Sequence, residues 1–386
     1  MRAFGPAGDL PGSLGFERYG ANMGAVGNRE RIVVAMSGGV DSSVAAAWLV
    51  ERGYDVVGVT LHLWDYPDDG SVKGRCCAPE DQHDARRVAD HLGIPHYSFD
   101  RRELFAREVV EPFVDAYLAG STPSPCVVCN RAVKMSELFA LADRLGARKV
   151  ATGHYARTVK GAGRVELYRG RDRDKDQSYF LYTLSQAQLK RIEFPLGEAT
   201  KVEVRNDALR RGLPGASKGE SQELCFVPTG RYDAFVERRA GDRARPGPIV
   251  DGQGRVVGAH RGVHRFTIGQ RKGLGVALGT PAFVVGIDTE TSAVRLGGAD
   301  ELLHFGATLT GARFFDDVAL PVRAAVRVRY RHQGVAATLT RDDATVRVAF
   351  DEPVRAVSRG QIAVAYSGDR VLGGGTIERA LGEACA

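Results

Sequence analysis

Arg31-Ile-Val-Val-Ala-Met36 leads into Ser37-Gly-Gly-Val-Asp-Ser-Ser43, and Val44-Ala-Ala-Ala-Trp-Leu-Val50 carries the chain on towards Gly53. The first piece is a short apolar run rich in β-branched residues, the second a glycine turn, the third a helical stretch with a glycine stop. Strand, turn and helix in that order open an α/β sheet, and such sheets take ligands at the carboxyl ends of their strands. Backbone N–H groups without intrahelical partners point out of the turn, and the helix dipole adds about half a positive charge, so an anion is favoured there. Gly38 and Gly39 let the backbone approach a phosphate, and Ser37, Ser42 and Ser43 offer hydroxyl donors. The G-x-x-x-x-G-K-[ST] loop that serves γ-phosphoryl transfer is absent. Asp41 would repel a phosphate unless a cation such as Mg2+ lies between them, which points to a magnesium nucleotide.

Outward from this stretch, residues 56–63 read as a second buried strand. From Pro79, Ala85, Val88, Ala89 and Leu92 recur at helical spacing up to Gly93, and 94–99 reads as a third strand. A helix over about 102–118, a proline-rich loop, a helix through Met135, Leu138, Phe139, Ala142 and Leu145, and a strand over 149–152 continue the alternation. The pattern predicts a Rossmann-like parallel sheet covered on both faces. After about residue 220 short β-rich runs separated by glycine and proline take over. Turns at 245–248 and 251–254 and hairpin strands at 283–287 and 293–296 predict a small β-rich middle domain. Runs at 322–330, 336–339, 346–350 and 361–366 predict a C-terminal β-barrel. The expected division is a leader over 1–30, a nucleotide-binding catalytic domain over 31–222, a middle domain over 223–300 and a barrel over 301–386. The glycine-rich first 28 residues read as a flexible leader, or as sequence upstream of a start at Met23.

The 386 residues carry a net charge of +6, with 44% hydrophobic and 26% charged residues, a globular composition that excludes disordered and collagen-like chains. No run approaches the ~18 apolar residues of a membrane-spanning helix, and the leader lacks the apolar segment of a secretory signal. The sign of the charge favours a polyanionic partner. Six cysteines (Cys76, Cys77, Cys126, Cys129, Cys225 and Cys385) are too few and too unevenly spaced for a disulfide-built secreted fold, so a reducing, cytoplasmic address is expected.

Cys126-Val-Val-Cys129 follows Ser121-Thr-Pro-Ser-Pro125 just before a helix, where the dipole should lower a thiol pKa, and Cys225 stands in Ser221-Gln-Glu-Leu-Cys-Phe-Val227. Three chemistries suit these residues. Cys126, Cys129 and Cys225 could ligate zinc or an iron–sulfur cluster; the pair could be an ordinary redox dithiol; or a persulfide on one cysteine could deliver sulfur while another resolves it through a disulfide. Cys76, Cys77 and Cys385 read as structural or incidental, and His83 as a helix-face residue.

Farther on, Val322, Ala324, Val326, Val328 and Tyr330 alternate with Arg323, Ala325, Arg327, Arg329 and Arg331. A period of two puts one face in a core and four guanidiniums on the other. That face is either a stripe for an RNA backbone or a solvated barrel face balanced by nearby carboxylates. Arg327, Arg329, Tyr330, Arg331 and His332 are its candidate RNA contacts. The stretch 169–177 is mixed in sign, so charge alone does not make it an RNA site.

Ser37-Gly-Gly-Val-Asp-Ser42 is similar to the signature of the PP-loop ATP pyrophosphatases, which cleave ATP between the α and β phosphates and activate an oxygen by adenylation. That turn, Thr122-Pro-x-Pro with Cys129-Asn130, Ala151-Thr-Gly-His-Tyr155, Lys175-Asp-Gln-Ser-Tyr-Phe-Leu181, Cys225-Phe226, Thr267-Ile-Gly-Gln-Arg-Lys-Gly-Leu274 and Leu372-Gly-Gly-Gly375 occur in order. The ordered set resembles the tRNA-specific 2-thiouridylase family from about residue 31 onward.

The resemblance implies ATP, with Mg2+, at Ala35, Met36, Ser37, Gly38, Gly39, Val40, Asp41, Ser42, Leu61 and Gly153. It implies Cys129 as nucleophile and Cys225 as persulfide carrier, with Asp41 beside them among the catalytic candidates. Ser124, Pro125 and Cys126 would lie next to the target base, and His154, Lys175, Asp176, Gln177 and Gln361 would contact tRNA. Many relatives have Asn-Pro-Asp where this chain has Ser124-Pro125-Cys126, so a third thiol stands near the site. The implied reaction adenylates the C2 oxygen of a wobble uridine and displaces it with persulfide sulfur, leaving a Cys129–Cys225 disulfide. Implied partners are tRNAs with Lys-, Glu- and Gln-type anticodons and a cysteine desulfurase or sulfur-relay protein; a monomer is expected. The alternatives are another PP-loop adenylating enzyme, an iron–sulfur-dependent tRNA thiolase using the same cysteines, or a non-catalytic tRNA-binding protein.

Overall fold

In chain order the first strands are β1 (Arg31–Ala35), β2 (Asp55–His62), β3 (His96–Asp100), β4 (Lys149–Ala151), the hairpin β5 (Ala156–Lys160) and β6 (Val165–Arg169), and β7 (Ile192–Glu193). β1 is the centre of a five-stranded parallel sheet ordered β3-β2-β1-β4-β7. Its Ile32, Val33 and Val34 are fully buried, as a continuous apolar run in a doubly covered parallel strand should be. Ile32 and Val34 pack on one face with Ala46 and Leu49 of α1 (Val40–Glu51) and Ala85, Val88 and Ala89 of α2 (Pro79–Leu92). Val33 faces the other way, towards Leu138, Leu141 and Ala142. The computed structural model describes residues 29–65, 79–161, 163–219, 224–227, 230–277 and 279–382. The leader up to residue 28, Cys76, Cys77 and Cys385 lie outside the described residues, and His83 is exposed on α2.

The helix expected over 102–118 is built from α3 (Arg102–Phe105), a π-helical segment (Ala106–Val110) and α4 (Glu111–Leu118). The next helical run joins α5 (Pro125–Val128), a second π-helical segment (Cys129–Met135) and α6 (Ser136–Arg144). Such wide turns recur at functional sites, and this one begins at Cys129. Beyond it come α7 (Gln186–Leu189), α8 (Lys201–Arg210) and α9 (Tyr232–Ala240). α9 falls where the sequence reads as β-rich. Tyr232, Phe235 and Val236 are spaced i, i+3, i+4, and the last two are buried.

Four strands, β8 (Gly247–Val250), β9 (Val256–His260), β10 (Phe283–Asp288) and β11 (Ala293–Gly297), form the middle sheet in the order β10-β11-β8-β9. The turn expected at 251–254 is closed by the Asp251 carboxylate, which accepts from the backbone N–H groups of Gln253 and Arg255 at 2.9 Å each. The C-terminal strands are β12 (Leu303–Phe314), β13 (Val322–Arg327), β14 (Val335–Asp342), β15 (Thr345–Arg355), β16 (Ile362–Ser367) and β17 (Arg370–Leu381). They close into a six-stranded barrel because β12 pairs with both β15 and β17. β12 and β17 escape the sequence reading because glycines interrupt their alternation, at Gly306 and Gly311 in one and at Gly373 to Gly375 in the other.

The βα alternation is interrupted at Ala156, before β7 completes the parallel sheet. β5 and β6 turn away from the parallel sheet, and β6 pairs with β17 through Tyr168 and Arg370. Segment 176–182 reinforces the join. Asp176 and Arg327 form an ion pair at 3.1 Å with side chains only 2% and 11% exposed. The Tyr179 hydroxyl donates to the Ile362 carbonyl at 2.7 Å, and the Phe180 and Tyr330 rings lie 4.5 Å apart. Gln361 donates its side-chain amide to the Thr122 carbonyl at 3.0 Å, and the Thr122 N–H donates to the Arg359 carbonyl at 2.8 Å. The barrel therefore holds the loop that carries Cys126. Among the described residues no helix is long and apolar enough to cross a membrane.

Removing one partner of a buried pair strands the other charge. Arg327→Ala is expected to destabilise the barrel by about 3–5 kcal/mol, read by chemical denaturation, whereas Arg331→Ala at an exposed position should stay within about 0.5 kcal/mol of the parent.

Candidate active site

The glycine turn sits between the end of β1 and the start of α1. Gly38 has φ +75°, and a Cβ there would lie 2.1 Å from the Asp81 carbonyl oxygen, so only glycine fits. Thr60 donates its hydroxyl to the Met36 carbonyl at 2.6 Å, and the Met36 N–H donates to the Val59 carbonyl at 2.8 Å, which ties the turn to β2. The N-cap of α1 is Gly39, with no side-chain cap, so its first-turn N–H groups have no capping side chain against them. The serines differ from expectation. Ser42 and Ser43 both donate to the Gly39 carbonyl at 3.0 Å, and Ser42 Oγ accepts from the Ser37 N–H at 3.1 Å. They shape the turn from inside. Met36 and Val40 bury their side chains in the core, so what they can offer a ligand is backbone. Half-buried Ala35 ends β1 opposite Val59 of β2, and half-buried Leu61 lies two residues farther along β2, opposite Phe99 of β3.

Asp41 does not need a metal to offset its charge. Lys201 Nζ lies 2.8 Å from both of its carboxylate oxygens, and the Tyr155 hydroxyl donates to Oδ1 at 2.8 Å. The expectation that only a cation could make this carboxylate tolerable is thus corrected: the protein supplies an ammonium. Alongside the turn, Asp81 and Asp84 share Lys218, whose Nζ is 2.9 Å from Asp81 Oδ1 and also bonds Asp84. Sequence reasoning missed both lysines. Thr200-x-x-Glu203 announces a helix start at Lys201, but nothing in it points to a partner 160 residues away.

Gly153 closes the next side. A Cβ there would come within 2.9 Å of the Ser42 nitrogen, so β4 delivers its following residues directly against the first turn of α1. His154, next in sequence, bonds Thr152 Oγ1 through Nδ1 at 2.7 Å. Burial, reinforced by the positive charge of Lys134, pushes its pKa down to about 3, so it is a neutral imidazole near pH 7.

Lys134 also acts on Cys129. Burial pushes the Cys129 thiol up to about 11; Lys134 pulls it down, and neighbouring Cys126 adds to the rise. The expectation of an activated thiol is reversed here. Ser124 is the N-cap, so Cys126 stands in the first helical turn and Cys129 in the second, beyond the reach of the dipole and only 5% exposed. Cys129 belongs to an apolar cluster with Leu63, Phe105, Phe113, Phe226 and Phe235, and Cys225 and Leu61 pack against that cluster. Cys126 is exposed, Cys225 half-buried, and none of the three is in a disulfide. Among the described residues no three His, Cys, Asp or Glu side chains are grouped to hold a metal ion, which corrects the iron–sulfur expectation for Cys126, Cys129 and Cys225 in this conformation.

Residues 30–229 match the family described as tRNA methyl transferase HUP domain, 233–298 the tRNA methyl transferase PRC-barrel domain, and 308–377 the aminomethyltransferase beta-barrel domain. A tRNA-specific 2-thiouridylase of Sorangium cellulosum is 65% identical over 357 residues, covering 91% of this chain and 93% of that protein. The chain belongs to the tRNA-specific 2-thiouridylase family. Family members from Moorella thermoacetica and Solibacter usitatus are 51% and 49% identical, each covering 90% of this chain and 99% of their own length.

The family's RNA-facing candidates fall into two groups. Gln177 clamps Tyr155, accepting from its N–H at 3.0 Å and donating to its carbonyl at 2.9 Å. Asp176 and Arg327 face each other in the interior, and Arg327 also donates to the carbonyls of His332, at 2.7 Å, and Tyr330. Burial alternates along 322–331, but β13 ends at Arg327, so Arg329 and Arg331 stand in the turn after the expected strand, and Arg323 is neutralised by Asp351 through two bonds of 2.7 and 2.6 Å. The stripe's four free guanidiniums are therefore corrected to two exposed ones without a carboxylate shown against them: Arg329, which donates to the Arg355 carbonyl at 3.2 Å, and Arg331. Half-buried His332 is held below the usual imidazole range by burial and by Arg329 and Arg327. Ser124 is half-buried, Pro125 buried and Lys175 half-buried, while Gln361 is spent on the thiol loop.

For His154, whose folded pKa of about 3 lies below an unfolded value near 6.5, the unfolded chain binds the extra proton between the two. Its contribution to stability is full above pH ~6.5 and is lost as pH falls towards 3. His154→Gln should therefore flatten the acid limb of the stability–pH curve; a limb of unchanged slope would contradict the assignment.

Proposed function

We propose that the protein is an ATP-dependent tRNA 2-thiouridylase of the cytoplasm. The observation that carries this reading is a shared wall between an anion-binding turn and two thiols. Gly153 touches Ser42, His154 follows it, and Lys134 acts on both His154 and Cys129. Leu61, beside the turn, packs against the cluster that contains Cys129 and borders Cys225.

The unpaired N–H groups of the turn bind ATP phosphates, and the C2 oxygen of an unstacked wobble uridine attacks the α-phosphorus, releasing pyrophosphate. Asp41 would hold Mg2+ arriving with the nucleotide, and that ion would neutralise phosphate charge. Lys201 pairs with the same carboxylate at 2.8 Å. A cysteine desulfurase or sulfur-relay protein loads Cys225 as a persulfide. Cys129 attacks it at the Cys225 sulfur, the released sulfide displaces AMP from C2, and a Cys129–Cys225 disulfide remains. Lys134 balances the thiolate that forms in this apolar setting. Arg329, Arg331 and Lys175 supply the surface for the RNA backbone of tRNAs with Lys-, Glu- and Gln-type anticodons. In this reading residues 31–222, with Cys225 just beyond them, do the chemistry, and the rest of 223–300 together with 301–386 holds the RNA, in a monomer. Two matched descriptions mention methyl transfer; the Ser-Gly-Gly-Val-Asp-Ser turn and the thiol pair support thiolation instead.

With ATP, unmodified tRNA and a persulfide source, Cys225→Ser is expected to abolish 2-thiouridine while pyrophosphate release persists. Undiminished 2-thiouridine in that variant would sink the proposal. Arg329→Ala combined with Arg331→Ala should weaken tRNA binding and lower the log–log salt slope by about 2, and a slope equal to the parent's would remove these residues from the RNA surface.

A further inference from the structure

The thiolation reading leaves a disulfide where reductants reach it poorly. Cys129 is 5% exposed and lies among Leu63, Phe105, Phe113, Phe226 and Phe235. The Phe226 ring, next to Cys225, is wedged edge-on against Phe105 and Phe113 with centroids 5.6 and 5.1 Å away. Thiol–disulfide exchange needs an attacking sulfur in line with the bond it breaks, and an external dithiol attacking at Cys129 would have to pass through this aromatic cluster. A thiol that can reach this bond already lies in the chain. Cys126 is exposed one helical turn before Cys129, close enough for the two sulfurs to interact electrostatically.

We propose that Cys126 is a resolving thiol that moves the disulfide from the buried cluster to the surface. The inference rests on the thiolation reading and adds the step that ends each turnover. The Cys126 thiolate attacks Cys129 Sγ; a Cys126–Cys129 bond forms as the Cys129–Cys225 bond breaks. Cys225 leaves as a thiolate with the bonding electron pair and takes up the proton that Cys126 gave up. This exchange is redox-neutral and frees Cys225 for the next persulfide. A protein dithiol of the Cys-x-x-Cys class then reduces the exposed Cys126–Cys129 disulfide, returning two thiols and becoming a disulfide itself.

The local structure permits the exchange. Residues three apart on a helix have Cβ atoms roughly 5–6 Å apart, while a disulfide needs about 3.8 Å, so the first turn must open to close the bond. α5 has only four residues, its N-cap Ser124 makes no side-chain cap bond, and a wide π-helical segment follows it. The loop before that turn is held from outside by Arg359 and Gln361.

The test is a single turnover of persulfide-loaded protein with ATP and tRNA, without reductant, quenched with iodoacetamide and mapped under non-reducing conditions. The wild type should yield a Cys126–Cys129 disulfide with Cys225 alkylated. Cys126→Ser should yield Cys129–Cys225, and that bond should lose its reduction by a thioredoxin-type dithiol while still opening to a small phosphine. Normal 2-thiouridine in a wild type that keeps Cys129–Cys225 with Cys126 alkylated would overturn this inference alone. Absence of both 2-thiouridine and any disulfide would overturn the thiolation reading and the inference with it.

Discussion

Tyr155 ties together the parts that must act in concert. Its hydroxyl donates to Asp41 in the first turn of α1, while its N–H and carbonyl are both held by Gln177. One residue from Gln177, Asp176 is buried against Arg327 of the barrel. One residue from Tyr155, His154 feels the same lysine that acts on Cys129. A strap only a few residues wide thus fixes the glycine turn, the thiol cluster and the barrel relative to one another. Moving any of the three means breaking bonds that are already buried. Their preorganisation sets where a nucleotide and a flipped base could meet.

Burial and electrostatics oppose each other at each charged point of this assembly, and burial does not always win. At Asp41 the carboxylate is bonded by Lys201 and by the Tyr155 phenol inside the glycine turn. At Cys129 burial prevails over Lys134 and raises the thiol pKa to about 11. A buried thiol of this kind is quiet towards stray oxidants and alkylators. It also leaves its oxidised product hard to reach, which is where an exposed neighbour on the same helix matters.

Much of the catalytic half can be read in the chain because its signals are local. Ile32 to Val34, the Gly38–Gly39 turn and the spacing of Ala85, Val88 and Ala89 each report on their own element, and each element is there. The features that escape are set by distant partners. β5 and β6 leave the parallel sheet because β17 offers them an edge. β12 and β17 hide their alternation behind glycines, and α9 is an amphipathic helix too short to stand out among charged residues. Lys134, Lys201 and Lys218 look like ordinary surface cations until the fold sets them beside His154, Asp41 and Asp81. The arginine stripe shows the same limit in reverse: its period of two is correct, but the Asp351 and Asp176 that neutralise half of it come from elsewhere in the chain.

The central claim is that ATP is spent on the oxygen at C2 of the target uridine. It is tested most directly by supplying tRNA whose wobble uridine carries oxygen-18 at C2 and examining the AMP released by mass spectrometry. The account predicts that the label appears in the AMP phosphate in step with 2-thiouridine formation. Unlabelled AMP, with the isotope recovered in water or retained in the base, would contradict it.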